Sequence, residues 1–411
     1  MTKLDFELIP VLLGADLNCY NVARAFHEEY GVISYAFGRY AIGATMNSKI
    51  VRFTAVADMD TDKKALEVLN SFAKEHEGAK FVVMGCTDDY VALIVRIKDS
   101  LDPAYTAPYS SGDLIDDITL KANFYAYCDK YGIPHPKTVV HEKGMSIDGL
   151  PFDYPIIIKP SSSVLYWKHE FKGMKKVYRA KSKEEAERIL DEIYSSGYPE
   201  KVILQDTVPG NDSAMYVLTS YSDRDARVRM MCLGHVLLEE HTPKGLGNHC
   251  AIITEYNKKL TECFKEFLEG IGFVGYSNFD IKYDRRSGTF CAFEINVRQG
   301  RSNYYVTASG NNIARNIVEE RLLNKPFTET IVNQNEIYWR YVPDRIVKER
   351  VSDELKAKID SLKKQKKAYS SLRYKYDLKF NLKRRAFVLI HERNHKKKFK
   401  TYCPLDKYNE Q

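Results

Sequence analysis

Along the first part of the chain, short apolar runs alternate with segments in which apolar residues recur every three or four positions. Residues 9–14, 49–56 and 80–85 are apolar runs of strand length. Residues 17–30 and 62–77 carry the periodic pattern of amphipathic helices. Strands that alternate with helices predict a doubly wound parallel sheet, and therefore an α/β fold for this part of the chain.

A second region begins near residue 119 and has a different pattern of predicted helices and strands. Helices are predicted over residues 120–131 and 181–197, where glycine follows or closes the periodic pattern. Between and after them, residues 154–160 and 201–210 form two apolar strands that each end near a proline.

Further along, the pattern becomes that of antiparallel strands. Residues 214–223 and 226–241 are predicted to pair across a short polar turn, and residues 258–270 form a helix. Residues 276–283 and 289–297 are separated by Asp-Arg-Arg-Ser-Gly, which predicts a β-hairpin.

The predicted hairpin places polar side chains on one face of the sheet. Alternation along each strand brings Asp280 to one side, and Glu294 and Asn296 to the same side of the partner strand. Two carboxylates and an amide would supply the hard oxygen ligands that Mg²⁺ prefers. By itself, however, this alternation is typical of any half-buried strand, and the pattern alone favours that simpler interpretation.

Two strand ends carry residues suited to a nucleotide. Lys159 ends an apolar strand and is followed by a serine run from Ser161, which would form a phosphate cradle. Gln205 could bond an adenine edge, Val208 could offer backbone groups, and Asp212 could accept from ribose hydroxyls. A solvated strand end at Lys159 and an ordinary turn after Gln205 are the alternatives.

Charge is unevenly distributed along the 411 residues. The chain carries 62 Lys+Arg against 55 Asp+Glu, a net charge of +7. Residues 344–411 hold 21 basic and 9 acidic residues (net +12), which leaves 41 basic and 46 acidic residues (net −5) for residues 1–343. No nucleic-acid partner is expected for the mildly acidic body, although a polyanion remains open for the basic tail.

Composition narrows the class of protein. A hydrophobic fraction of 44% supports a large core, and this length predicts two or three domains. Eight cysteines without a CxxC pair predict reduced thiols rather than disulfides or a zinc site. The chain shows no charged-then-apolar leader and no apolar run near the ~18 residues that a membrane helix needs. We therefore expect a cytoplasmic protein.

Taken in order, these motifs resemble the ATP-grasp superfamily of carboxylate–amine ligases. The resemblance rests on Lys121 ahead of GIPHP, Lys159 in IIIKP, the run QDTVPGND and the hairpin NFD…FEINVR. The opening PVLLGADLNCYNVARAFHEEYG and the run FEINVRQGRSNYYV are similar to the D-aspartate ligase branch. The implied organisation is a Rossmann-like domain over residues 1–118, a two-subdomain ATP-grasp domain of α+β class over 119–330 and a basic extension over 331–411.

The resemblance also implies roles for individual residues. It assigns ATP and Mg²⁺ as cofactors, with Mn²⁺ as an alternative metal. One stretch departs from the family: the phosphate-covering loop expected over residues 161–176 has one glycine and four lysines instead of a Gly-rich sequence. The resemblance implies three groups of residues: the ATP ligands Lys121, Lys159, Gln205 and Asp212, the metal ligands Asp280, Glu294 and Asn296, and Arg298 for the phosphoryl group or the acid. The strand ends described above add Ser161 and Val208 as ATP contacts. An acid with two carboxylates also needs a cationic partner for the one that does not react, for which Arg301 and Lys244 are candidates.

The substrates that the resemblance implies are D-aspartate, activated at its β-carboxylate, and the lysine side chain of a peptidoglycan precursor. His241 and His249 are candidates for taking the proton of the amine, although isolated histidines are more often structural. An exposed loop lysine is an equal interpretation of Lys244. The rival functions are ligation of another amino acid and amine, or non-catalytic nucleotide binding with a polyanion-binding tail.

The basic tail has two interpretations. Residues 353–366 are predicted to form a charged helix, and apolar residues recur from Tyr374 to Leu382. This pattern favours a solvated, folded appendage. A basic surface that gathers a phosphate-bearing acceptor or contacts an anionic membrane is the alternative. The oligomeric state stays open.

Overall fold

The computed structural model describes residues 2–243 and 245–408, which divide into two compact units. The first unit comprises Met1–Gly112, Asn211–Asn278 and Asn296–Gln411. The second comprises Asp113–Gly210 and Phe279–Ile295. The three-part division expected at residues 118 and 330 stays a prediction.

The first unit opens with a five-stranded sheet in which all strands are parallel. Its strand order is β3-β2-β1-β4-β5, so the chain moves outward from β1 in both directions, as a doubly wound sheet requires. The predicted α/β fold is confirmed. The elements are β1 (Leu8–Leu13), α1 (Leu17–Tyr30), β2 (Ser34–Gly38), β3 (Val51–Ala55), α2 (Asp62–Glu75), β4 (Lys80–Gly85), α3 (Asp88–Ile97), a 3₁₀ turn (Lys98–Ser100) and β5 (Tyr105–Thr106).

The second unit contains a four-stranded antiparallel sheet of order β6-β9-β7-β8. Its core is formed by β-branched and leucine side chains of the strands together with the apolar face of the helix that follows β8. The elements are α4 (Gly112–Thr119, which begins at the unit boundary), α5 (Lys121–Tyr131), β6 (Thr138–His141), β7 (Ile156–Pro160), α6 (Ser163–Tyr166), β8 (Tyr178–Ala180), α7 (Lys183–Ser195) and β9 (Val202–Asp206).

The largest sheet has eight strands in the order β14-β13-β10-β11-β12-β16-β17, with β15 beside β11. The predicted pairing of residues 214–223 with 226–241 is confirmed, because β10 and β11 are antiparallel neighbours. The strands and helices up to the tail are a 3₁₀ turn (Asp212–Ala214), β10 (Met215–Ser222), β11 (Val228–Glu239), β12 (His249–Glu255), α8 (Lys258–Gly270), β13 (Gly275–Asp284), β14 (Thr289–Asn296), α9 (Tyr304–Ala308), α10 (Ile313–Ile317), a π-helical turn (Val318–Leu322), β15 (Ile331–Val332) and β16 (Tyr338–Arg340).

The basic tail is folded into the first unit. Val388 and Phe399 belong to its hydrophobic core, and the ion pair of Asp377 with Arg384 is fully buried. The tail is therefore folded, as expected, but it is not a solvated appendage, because apolar side chains interleaved with the charges reach the core. The tail elements are α11 (Asp344–Lys348), α12 (Asp353–Lys364), β17 (Ala368–Ser370), α13 (Lys375–Leu378), α14 (Leu382–Tyr402) and α15 (Leu405–Tyr408).

Two smaller expectations can be compared with the structure. None of the eight cysteines forms a disulfide within the described residues, as predicted. Across residues 2–243 and 245–408, each helix is too short or too polar to span a bilayer. The cytoplasmic location stays a prediction.

Candidate active site

The start of α5 brings two predicted site residues together in the second unit. Lys121 is the first residue of this helix, and its Nζ lies 3.1 Å from Oε2 of Glu294 on β14. The same ammonium donates to the Ser163 hydroxyl at 3.2 Å. Lys121 is only 8% exposed, so its charge is partly removed from water and depends on these partners.

Ser161 holds the helix start in place. Its carbonyl accepts from the Lys121 amide and its hydroxyl accepts from the Ala122 amide, each at 3.2 Å. These two amides are among those that a helix leaves unpaired at its N-terminus. The Ser161 amide itself donates to the carbonyl of Lys201 at 2.9 Å. Only the hydroxyl proton of Ser161 is thus left for the phosphate contact that the sequence predicts.

Lys159 lies at the end of β7 and is 7% exposed. Its Nζ donates to the Tyr125 hydroxyl at 2.7 Å and lies 5.3 Å from the ring centroids of Tyr125 and Phe293. Burial, reinforced by the positive charge of Lys121, lowers the pKa of Lys159 to about 7. The sequence alternative of a solvated strand end is wrong, since this ammonium is buried.

Glu294 balances a strongly positive environment. The charge of Lys121 holds the pKa of Glu294 well below its usual range, and Lys176 and Lys159 act in the same direction. The Asp280 carboxylate adds a favourable interaction with Lys159. Three ammonium groups against two carboxylates leave this cluster with room for further negative charge, which the phosphates of a nucleotide would supply.

Gln205 is fully buried on β9 at the other side of Tyr125. Its Nε2 donates to the Thr138 hydroxyl at 2.8 Å, and its Oε1 lies 3.5 Å from the Tyr125 hydroxyl. Val208 is buried in the segment that follows β9. The second unit therefore links Gln205 through Tyr125 to Lys159 by hydrogen bonds.

Asp212 belongs to the first unit and already has partners there. Its carboxylate accepts from the amide of Glu239 at 2.8 Å and lies 2.9 Å from Nε2 of His241. Burial alone would lower the pKa of His241, but the hydrogen bond to Asp212 raises it to about 10. A histidine that stays protonated near neutral pH is unsuited to accept the proton of an amine. His249 instead pairs with Glu239 at 3.6 Å.

The polar residues that follow Glu294 on β14 also lie in the first unit. Asn296 donates to the carbonyl of Asn278 at 3.3 Å. Arg298 forms a two-pronged ion pair with Asp88, at 2.7 and 3.2 Å. To contact the phosphoryl group, the Arg298 guanidinium must either exchange Asp88 for the substrate anion or bind both anions at once.

Arg301 lies over the ring of Tyr341, with its guanidinium carbon 5.0 Å from the ring centroid. Its Nη1 is buried and has no hydrogen-bond partner among the described residues. An unpaired buried donor on a guanidinium is costly, which is consistent with a ligand anion at this position. Lys244 lies outside the described residues.

The two carboxylates of the second unit are the ligand type of a divalent metal that phosphate oxygens also coordinate. Within the described residues, no group of three or more His, Cys, Asp and Glu side chains is arranged to hold a metal unaided. The predicted set has two carboxylates, Asp280 and Glu294, and one amide, Asn296. Such a set is incomplete without oxygens from another molecule, as is usual for metals that bind together with nucleotide phosphates.

Two residues of this cluster were not predicted. Tyr125 lies one helical turn after Lys121, so both project from the same face of α5, and this spacing was available in the sequence. Lys176 was recognised only as one of four lysines of the predicted lid. Its influence on Lys159 and Glu294 depends on where the chain returns after α6, for which the sequence carries no signal.

Solved structures with similar folds are ligases and synthetases. L-amino acid ligase from Bacillus licheniformis is 12% identical, with a TM-score of 0.55 over 78% of this chain and 75% of that chain. Phosphoribosylamine–glycine ligase from Thermotoga maritima is 15% identical, with a TM-score of 0.56 over 80% and 78%. The ADP complex of N5-carboxyaminoimidazole ribonucleotide synthetase (purK) is 14% identical, with a TM-score of 0.56 over 82% of both chains.

These similarities show that the chain has the fold of these ligases and synthetases, the ATP-grasp fold. No protein-family model matches the chain. The D-aspartate ligase of Enterococcus faecium (strain Aus0004) is 41% identical over 352 residues, which cover 83% of this chain and 84% of that protein. The chain therefore belongs to the D-aspartate ligase family, and it is an ATP-dependent ligase that forms a C–N bond.

Proposed function

We propose that this protein joins D-aspartate, through its β-carboxylate, to the side-chain amine of a lysine in a peptidoglycan precursor. The single observation that carries the proposal is the cluster of Lys121, Lys159 and Glu294, in which buried ammonium groups outnumber carboxylates. The 41% identity to a D-aspartate ligase supports the choice of acid.

The cofactors we propose are ATP and Mg²⁺. When bound, ATP supplies the phosphoryl group that makes the carboxylate reactive. Lys121 and Lys159 hold its phosphates, with the Ser161 hydroxyl beside them, and Gln205 with the backbone at Val208 holds the adenine. Asp212 accepts from the ribose hydroxyls. Asp280, Glu294 and Asn296 hold the metal through oxygen atoms, the ligand type that Mg²⁺ prefers.

Activation is required because a carboxylate is a poor electrophile at neutral pH. A carboxylate oxygen forms a bond to the terminal phosphorus as the bond to ADP breaks, and the acid becomes an acyl phosphate. The amine then attacks the carbonyl carbon, phosphate leaves, and the nitrogen loses a proton. The first step brings two anions together, so the positive charges of Lys121, Lys159 and Arg298 stabilise it.

The acid substrate has a second carboxylate that must not react. Arg301 is suited to bind it, because its buried Nη1 lacks a partner among the described residues. A charge-assisted contact of this kind contributes about 1.5–3 kcal/mol, or one to two orders of magnitude in affinity. Lys244 is proposed as a second contact to the acid.

The tail also offers a surface for a partner. Phe380 is 90% exposed and Leu382 is 77% exposed, and the exposed residues Lys379 and Lys383 flank them. Exposed apolar residues among lysines are typical of surfaces that contact anionic membranes. We propose that this surface brings the enzyme to the membrane at which a lipid-linked acceptor would be available.

The proposed function is tested by the release of ADP. ADP should appear only when an acidic amino acid is added, with D-aspartate preferred over L-aspartate, and the amide product should require a lysine-containing peptide. A response to L-amino acids alone would favour a dipeptide synthetase. ATP binding without acid-dependent ADP release would favour a non-catalytic protein.

The lysine–carboxylate cluster is tested by Lys159→Ala and Glu294→Gln. Each variant should lower the rate of ADP release by at least about 100-fold, because each removes a charge that acts on the reacting phosphates. Lys143→Ala, at an exposed lysine between β6 and β7 of the same unit, is the matched control and should retain activity. Normal turnover in either cluster variant, with an unchanged circular-dichroism spectrum, would remove these residues from the mechanism.

A further inference from the structure

The ring of Tyr341, in the first unit, is surrounded by polar groups from two other parts of the chain. Arg301 lies over it at 5.0 Å, and the rings of His391 and His395 on α14 lie 4.6 and 5.2 Å away. The two histidines are one helical turn apart, with ring centroids separated by 4.2 Å. The basic tail thus reaches the arginine that the proposed function assigns to the acid.

His395 is 3% exposed, and the structure determines which of its nitrogens can accept a hydrogen bond. Nδ1 lies 3.1 Å from the backbone carbonyl of His391, and a carbonyl can only accept, so Nδ1 carries the proton. Burial lowers the pKa of His395, so its ring is neutral near pH 7. Its Nε2 is therefore an acceptor, and it is buried without a partner within the described part of the chain.

A carboxylate lies in the electrostatic reach of the same cluster. Glu240 is 5% exposed and interacts with both Arg301 and His395. Its Oε1 accepts from the Thr242 hydroxyl at 2.8 Å and lies 3.5 Å from Nζ of Lys398 on α14. The cluster therefore combines an unpaired donor on a cation, an unpaired neutral acceptor and a carboxylate, all of them buried.

This combination matches the two ends of an amino acid head group. A carboxylate needs donors and positive charge, as on Arg301, whereas an ammonium needs acceptors and negative charge, as on His395 and Glu240. Leaving both the donor and the acceptor unpaired in a buried site is costly, so a ligand that satisfies them together is favoured.

We propose that α14 completes a binding site for a zwitterionic α-amino acid head group, in which Arg301 binds the carboxylate and Nε2 of His395 accepts from the ammonium. The inference rests on the proposed function and deepens it, because it names the tail residue that recognises the ammonium group of the acid. His395 is a binding residue that takes no part in the transfer of the phosphoryl group. The tail then belongs to the substrate site instead of serving only as a surface.

The test compares D-aspartate with succinate, which has both carboxylates of D-aspartate but no ammonium. His395→Leu should lower kcat/KM for D-aspartate by about tenfold, the loss of one hydrogen bond to a charged group. The inhibition constant of succinate and the KM for ATP should be the same in His395→Leu as in the wild type. His395→Gln, which returns an acceptor to a similar position, should recover most of the activity. Asn394→Leu places the same residue at an exposed neighbour and is the control.

A merely structural role for His395 predicts a different result. Loss of packing would weaken D-aspartate and succinate by equal factors, and such parallel changes would overturn the proposal, as would an unchanged kcat/KM for D-aspartate. If His395→Leu does not fold, the same comparison of D-aspartate with succinate in His395→Ala, which also lacks an acceptor, decides the question. A wild-type protein that releases no ADP with D-aspartate would refute the proposed function itself. An active wild type, combined with equal effects on D-aspartate and succinate in His395→Leu, would refute only the site.

Discussion

Lys159 carries an ammonium group at the buried end of an apolar strand. Its hydrogen-bond partner is a tyrosine hydroxyl, and its nearest charges are the ammonium of Lys121 and the carboxylate of Glu294. Because burial and a like charge both disfavour the charged form, the pKa falls to about 7. A polyphosphate in this position would reverse the balance, since negative charge favours the protonated lysine.

We therefore predict that binding of MgATP at pH 8 takes up protons. In the ligand-free protein Lys159 is mostly neutral one unit above its pKa of about 7, and the phosphates raise that pKa, so uptake should approach about one proton. At pH 6 the lysine is already protonated and the uptake should fall toward zero. Calorimetry in two buffers of different ionisation enthalpy measures this quantity.

Two variants separate Lys159 from the other titrating groups. Lys159→Met should abolish most of the uptake at pH 8, whereas Lys143→Met, which alters an exposed lysine outside the expected phosphate-covering loop, should leave it intact. Equal uptake in both variants would mean that the protons bind elsewhere, on the nucleotide or on another side chain.

Helix α14 shows how a highly charged element can belong to a core. The side chains of Asp377 and Arg384 are both 0% exposed and lie 3.0 Å apart. Asp377 also accepts from the Tyr20 and Ser48 hydroxyls and from the amide of Lys49 at 2.6 Å. One buried carboxylate thus joins the tail to α1 and to the segment before β3, all within the first unit.

Breaking this buried pair should be strongly destabilising. Asp377→Asn leaves the Arg384 guanidinium buried without a counter-charge, for which we expect a loss of about 3–5 kcal/mol in the free energy of unfolding. Glu392→Gln is the matched control, because its partner Arg373 is 47% exposed and such pairs contribute less than about 1 kcal/mol. Urea unfolding of both variants measures the difference, and equal losses would contradict the assignment.

At the scale of the whole molecule, residues 344–411 carry a net charge of +12. Some of the basic side chains responsible for it are buried and others are exposed. Arg384 serves the core and Lys398 interacts with Glu240, whereas Lys379 and Lys383 remain exposed beside Phe380. Phe380 has a backbone φ of 56°, a conformation that is uncommon and strained for a bulky residue. Strain and exposure at one aromatic residue are consistent with a contact surface.

We predict that the protein binds vesicles containing anionic phosphatidylserine more tightly than vesicles of neutral phosphatidylcholine. Phe380→Ser combined with Leu382→Ser should weaken the binding by at least about tenfold, since each buried apolar side chain and each nearby lysine contributes on the order of 1 kcal/mol or more. Co-sedimentation at two salt concentrations measures it.

The control for this experiment is Tyr256→Ser, which removes a 48% exposed aromatic residue from the segment between β12 and α8. It should leave vesicle binding unchanged. Self-association of the wild type that the double variant abolishes, without vesicle binding, would instead assign the surface to a second copy of the chain.

Local sequence was sufficient for the elements whose signals are local. The predictions at residues 17–30, 80–85 and 258–270 coincide with α1, β4 and α8. Periodicity, strand length and terminal residues such as Gly31 act over a few positions and need no partner. β2, a five-residue strand at Ser34–Gly38, was missed because its stability comes from parallel pairing with β1 and β3.

Some features of the active site can likewise be predicted from local sequence, and others cannot. The motifs around Lys159 and Glu294 carry the resemblance to carboxylate–amine ligases, because a charge at the end of an apolar strand and alternation in a hairpin are visible along the chain. Three other features cannot be seen along the chain. They are the ion pair of Lys121 with Glu294, the burial that lowers the pKa of Lys159 and the approach of His395 to Tyr341. Each depends on distances between segments far apart in sequence, and those distances arise only when the sheets and helices pack.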